Sequence, residues 1–297
     1  MGFLEIFLTS LGGTATAVAI LGYLGKGLLD NRLKKDLEDH KLLIQEASSI
    51  KATVNKYSRV VMMSAEDAQD RLWHLCERQA KSKNKVLEAK DDLKPMYGAW
   101  PMTKQHYLLG TMYFISRYLC WVEILKERVR LLEFNDDEKT KLFYYHLKRV
   151  ERMLAETSLQ EFSETQISTD KPVFQLMQSE IGQYLMKSDD GEIGCIVFQE
   201  FKRKYTSIRD SSDAVSRLEE LLYGAMSDAK SNFCLTRLKL LGNALMDFVA
   251  FLHDHNQLRE AEGLVKISVQ NFKMDAYLEK WPVTPNKSMQ LTAFGGG

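Results

Sequence analysis

The chain has 297 residues and carries 40 Lys plus Arg against 40 Asp plus Glu, so net charge gives no general argument for a nucleic-acid partner or an acidic substrate. Its four cysteines, Cys76, Cys120, Cys195 and Cys234, are isolated and form no CxxC pair, which excludes a dense disulfide framework. Each lies beside apolar neighbours and reads as a reduced core residue.

The first element is a membrane span. From Ile6 to Gly25 the sequence is uncharged and long enough to cross a bilayer, which needs about 20 apolar residues of helix. Its leader, residues 1–5, carries Glu5 and no Lys or Arg, unlike the positive start of a cleaved signal peptide. Lys26, Arg32, Lys34, Lys35 and Lys41 follow, and basic flanks stay on the cytoplasmic side. The expected topology is an N-terminus outside and a body in the cytoplasm of a bacterial inner membrane. Between Lys26 and Lys104 there are 16 basic and 12 acidic residues, so the membrane-proximal part is the basic part. Gly12, Gly13, Thr16 and Ala17 crowd the span with small residues at i, i+4 spacing. Such spacing lets helices approach closely in lipid, and self-association and simple tolerance of small residues both account for it.

Residues 26–80 contain no proline and place apolar side chains, mostly three or four residues apart, at Leu33, Leu37, Leu43, Ala47, Ile50, Val54, Tyr57, Val61, Ala65, Ala68, Leu72 and Leu75. Steps of three and four keep one stripe on one helix face. The spacing predicts a long membrane-proximal helix, with a coiled coil and packing against the body both open. Residues 81–102 read as a polar connection ending in Pro and Gly. Thr103 is the expected N-cap of a helix apolar nearly all round from Tyr107 to Leu125. That pattern marks a buried central helix. A second membrane span is the rival reading, opposed by Arg117 and Glu123 inside the run.

A helix from about Asn135 to Glu156 follows, then a Ser/Thr-rich linker, then a helix opened by Pro172 and closed near Ser188 before an Asp190-Gly191 turn. Phe198, Phe201, Tyr205 and Ile208 define a short amphipathic helix, and Asp213 is the expected cap of another through Leu222. Phe233 to His255 forms the first arm of a closing hairpin. Its second arm begins near Leu258, in an LREAEGLV stretch like one helix of a tetratricopeptide-type unit. Residues 282–297 form a polar tail expected to be disordered. The resulting fold class is all-α: one transmembrane helix, 6–25, running into a long helix, 26–80, and a cytoplasmic helical bundle over 103–281.

Few residues carry chemistry. His253 and His255 are the weak metal candidates, but alternate residues diverge by about 200° on a helix and do not share a face. Arg117 and Glu123 are the weak catalytic candidates because their helix reads as buried. They lie about 120° apart around the axis and should reach different neighbours, with structural pairing as the plainer explanation. Lys202, Arg203 and Lys204 form a basic edge suited to a membrane surface or to plain solvation. No phosphate loop, dinucleotide fingerprint, HExxH or GxSxG occurs, so no cofactor is expected.

Three segments prompt a resemblance: Trp121-Val122-Glu123-Ile124-Leu125 within a Tyr-rich helix, Ile181-Gly182, and Cys195-Ile196. Together they resemble a group of bacterial helical proteins, with Val197 standing where that pattern has glycine. The resemblance covers about a third of the chain and implies a bacterial cytoplasmic helical domain without a stated activity. The tail PNKSMQLT is similar to read-through from the recombination site ending an integron gene cassette. Cassette genes often serve stress, resistance or phage defence. The expected function is a membrane-anchored, non-enzymatic interaction or signal-coupling protein whose partners are the bilayer and a protein or second copy, with no nucleic acid. The alternatives are an effector enzyme or toxin with a site near Arg117 and Glu123, and an oligomer that perturbs the membrane.

Overall fold

The computed structural model describes residues 41, 56–78, 95–97, 100–128, 137–167, 170–189, 191–226, 233–256 and 266–283. It divides into two units, Met1–Thr53 and Val54–Gly297, and only Lys41 is described in the first. The expected span, with Gly12, Gly13, Thr16 and Ala17, lies outside the described residues. So do the second arm of the closing hairpin over 257–265 and the tail beyond 283.

The second unit is all-α, with two small two-stranded sheets attached. Helix α1 covers residues 56–73 and widens into a π turn at His74–Arg78. Val61, Met62, Ala65, Ala68, Leu72 and Leu75 are buried, so over these residues the apolar stripe packs onto the body and not onto a coiled-coil partner. Accordingly the compact unit starts at Val54, well before the expected connection at 81–102.

That connection is not wholly irregular. Strands β1 (Pro95–Tyr97) and β2 (Trp100–Thr103) pair antiparallel there, a hairpin the Pro- and Gly-punctuated sequence concealed. Helix α2 (Lys104–Arg128) begins where expected: the His106 N–H donates to Thr103 Oγ1 at 3.1 Å. Among the described residues, α2 is the one helix long and apolar enough to cross a membrane. Most of that apolar window is buried inside the body, which is how a central core helix is solvated.

Around α2 the other helices form a bundle. Helix α3 (Asp137–Ala155) is amphipathic and packs on α7 (Cys234–Asn256) through Phe143 against Phe248 and His146 against Phe251. Helix α4 (Gln175–Tyr184) lies against α2, and α5 (Phe198–Ser211) reaches it through Tyr113, Phe198 and Phe201. Helix α6 (Asp213–Ala225) packs on α4, α5 and α7. Its N-cap is Ser212, whose Oγ accepts from the Val215 N–H at 3.2 Å; Asp213, the expected cap, is instead its first residue. A short α8 (Met274–Lys280) covers the 3₁₀ turn Ser158–Phe162.

Two further expectations are corrected. The helix opened by Pro172 starts only at Gln175 and stops at Tyr184, and the chain then forms a hairpin of β3 (Met186–Asp189) and β4 (Glu192–Cys195). The turn signal was real, since Gly191 has φ +83°, but it joins two strands. The cysteines also differ from expectation. Cys120 on α2 and Cys195 at the end of β4 form a disulfide, while Cys76 and Cys234 are buried thiols outside it.

Candidate functional site

The weak catalytic pair sits on α2, and the helix turns its members to different neighbours. Arg117 Nη1 donates to Asp67 Oδ2 of α1 at 2.9 Å, and both side chains are partly exposed. Burial raises the Asp67 carboxyl above its ordinary range, helped by Glu66 and Asp70 and opposed by Arg117. Lower on the same helix pair, Arg71 donates to Thr111 Oγ1 at 3.0 Å and to the Tyr107 carbonyl at 2.9 Å, with its guanidinium over the Tyr107 ring.

Glu123 faces α4 and α3. Ser179 Oγ donates to its Oε2 at 2.7 Å, and Lys126 Nζ donates to its Oε1 at 2.7 Å. The same ammonium reaches Glu151 Oε1 at 2.8 Å, and Lys148 reaches Glu151 Oε2 at 2.8 Å. Glu151 is buried, which alone would raise its pKa; Lys126 and Lys148 outweigh that and hold it below the ordinary carboxylate range. Beside it, Gln178 Nε2 donates to the carbonyls of Glu151 and Val173, tying α4 to α3.

Gly182 explains why α4 comes so close. A Cβ there would meet the Leu119 carbonyl oxygen and Glu123 Cγ, each at 2.8 Å. The Ile181-Gly182 motif therefore has a packing reason. The cluster is a charge network of α2, α3 and α4 in which each carboxylate already has a cation. Its chemistry is that of a structural junction.

The remaining candidates are separate. His253 Nε2 lies 2.5 Å from Glu66 Oε1, and the side chain of His255 is outside the described residues. Among the described residues no group of three or more His, Cys, Asp or Glu is placed to hold a metal. Lys202, Arg203 and Lys204 are exposed on α5, opposite the buried Phe201, Tyr205 and Ile208; Lys204 pairs with Glu200 at 2.7 Å.

Sequence reasoning passed over an open groove. A groove of about 660 Å³ runs between the start of α1, the C-terminal end of α2 and the β3–β4 hairpin. Tyr57 and Trp121 give it aromatic walls, Arg128 and Lys187 positive charge, and Asp189 and Glu192 negative charge. Lys56–Glu192 at 3.4 Å and Lys187–Asp189 at 2.6 Å are ion pairs of exposed side chains, which contribute little and open readily. The hairpin carried no strand pattern, so only Trp121, within the resemblance, pointed there. Comparison with protein-family models, curated proteins and solved structures finds no match.

Proposed function

We propose that this chain is a membrane-anchored, non-enzymatic interaction protein that couples a signal at the bacterial inner membrane, with residues 6–25 as its anchor, its N-terminus outside and its helical body in the cytoplasm. The observation that supports a non-enzymatic reading is the engagement of Arg117 by Asp67 and of Glu123 by Lys126 and Ser179 on different sides of α2. The charges that sequence reading offered to catalysis bind helices together. What the body offers a partner is the groove, whose mixed charges and aromatic walls suit a polar protein segment. The basic flank after residue 25 supports the orientation, and the cassette-like tail supports a role in stress or phage defence.

A photo-cross-linking residue in place of Glu192, at the groove, tests the reading in intact cells, with Arg203, exposed on α5 and outside the groove lining, as control. A discrete protein adduct from position 192 and none from 203 is expected. Purification of the full chain from membranes with a bound nucleotide or metal, or catalytic turnover lost in Glu123→Gln without loss of folding, would favour the enzyme instead. A reporter fused after Thr284 reads the orientation, and activity only in the periplasm overturns it. For the oligomeric membrane-perturbing alternative, depolarisation on overexpression should disappear when Gly12 and Gly13 become Leu.

A further inference from the structure

Cys120 and Cys195 lie 75 residues apart in sequence and meet beside the groove, which their chain neighbours line. Their Cα atoms are 6.4 Å apart, within the span a disulfide bridges. Trp121 directly follows one cysteine, and Ile193 and Gly194 directly precede the other; all three line the groove. The link therefore joins the groove's helical wall to its hairpin wall. We propose that Cys120 and Cys195 are a reversible two-electron thiol switch that sets how firmly the β3–β4 hairpin is held to α2, and so the shape of the groove.

Other restraints on the hairpin lie at its base or are weak. Tyr113 Oη donates to the Ile196 carbonyl at 3.1 Å, and the Ile196 N–H donates to the Leu185 carbonyl at 2.9 Å, so the base stays pinned when the disulfide opens. Met186 and Ile193 are partly buried against the core, while the tip is held to α1 by the exposed Lys56–Glu192 pair. Cys195 faces Met186 at the base of the hairpin, so reduction removes the covalent tie there and leaves the hairpin held to the body by the Ile196 hydrogen bonds, the packing of Met186 and Ile193 and the exposed Lys56–Glu192 pair. That geometry changes the groove without unfolding the bundle.

The inference rests on the cytoplasmic placement proposed above, because disulfides in a reducing compartment are transient and redox-sensing, whereas those outside are structural. The reductant is a dithiol carrier. Its thiolate attacks Cys195 Sγ, the sulfur of the partly exposed residue; the bond to Cys120 breaks, and Cys120 leaves as a thiolate and takes a proton. The carrier's second thiol then attacks its own sulfur in the mixed disulfide, releasing Cys195, which is protonated in turn. Two electrons and two protons pass to the protein, and the carrier becomes a disulfide. An oxidised carrier reverses the sequence. The other two cysteines do not compete: burial pushes the Cys76 thiol up to about 12 and the Cys234 thiol up to about 11, so neither supplies a thiolate.

The test uses the full chain. Cells are quenched with acid, and thiols are tagged under denaturing conditions with a maleimide polymer; the disulfide form takes two tags and the dithiol form four. The switch requires that diamide convert four-tag protein to two-tag protein and that recovery reverse it. In purified protein, hydrogen exchange over residues 186–195 should quicken about tenfold on reduction with dithiothreitol and slow again on reoxidation. The Cys120→Ser and Cys195→Ser variants should match the reduced form under both conditions. A fixed tag number in cells, or hairpin exchange indifferent to redox state, overturns the proposal. The Thr284 reporter separates this failure from a failure of placement: a cytoplasmic reporter with a fixed tag number refutes the switch alone, while a periplasmic one refutes the placement.

Discussion

Arg237 is fully buried, and the sequence around it, LTRLKLLG, reads as a leucine-rich helix with two positive charges, Arg237 and Lys239. Its guanidinium grips Asp170 through Nε to Oδ1 at 3.0 Å and Nη2 to Oδ2 at 2.5 Å, and it donates to the carbonyls of Met153 and Glu156 at 2.8 and 3.0 Å. Those carbonyls lie at the C-terminal end of α3, where a cation is favoured and acceptors lack helical partners. Asp170 is completed by Gln160 and by the backbone N–H of Lys171. Asp170→Ala leaves a buried guanidinium without its counter-charge, which costs about 3–5 kcal/mol. For a body of this size that corresponds to a fall in Tm of roughly 10 °C. Asp170→Leu combined with Arg237→Met removes both charges and should recover part of that loss, leaving about 1–3 kcal/mol for the abandoned carbonyls. Thermal unfolding of the full chain in detergent, followed by far-UV circular dichroism, measures these two variants and the single variants Asp170→Leu and Arg237→Met. A fall below about 2 °C for Asp170→Ala, or simple additivity of the single variants Asp170→Leu and Arg237→Met in the double, would refute the view that this pair locks α7 to α3.

Gly182→Ala should destabilise by about 1–3 kcal/mol, because its Cβ would meet the Leu119 carbonyl, which cannot rotate away; a midpoint shift in urea checks this. Acid should weaken the body through Asp170 and Glu151. Burial works to raise each, but Arg237 for the first and Lys126 with Lys148 for the second hold both below the ordinary carboxylate value. A depressed folded pKa means stability that is full above about pH 4 and lost as pH falls below it. Melting at a series of pH values should therefore show a fall below about pH 4, and the fall should shrink in the Asp170→Leu/Arg237→Met double variant. Arg117→Ala should cost at most about 1 kcal/mol, since its pair with Asp67 is open to solvent; a larger loss in urea would mean the pair is more deeply embedded than its exposure indicates.

What could be read from the chain was local. The all-round apolar run from Tyr107 identified α2 as central, the Phe198–Ile208 spacing gave α5 with its buried face, and helical geometry alone placed Arg117 and Glu123 on different sides. What could not be read was long-range. Asp67 and Ser179 are 50 and 56 residues from their α2 partners, Asp170 is 67 from Arg237, and Cys120 is 75 from Cys195. No spacing rule connects such positions. The β3–β4 hairpin failed for another reason: MKSD and EIGC are too short to show alternation and follow a helix directly, so Asp190-Gly191 read as a helix end. A single buried arginine on an apolar helix is likewise indistinguishable in sequence from a solvated one.

The central claim, that the charges on α2 hold the body together and leave contact with partners to its surface, comes down to Glu123. Groups kept for catalysis commonly cost stability, so their removal leaves a fold unchanged or stabilised. A structural carboxylate accepting from Ser179 and Lys126 should instead contribute about 2 kcal/mol. Urea unfolding of Glu123→Ala beside the unaltered full chain is the direct measurement. An unfolding free energy lowered by that amount, read as a lower midpoint at unchanged slope, is the predicted result; a midpoint unchanged or raised would contradict the account and return Glu123 to candidacy as an active-site residue.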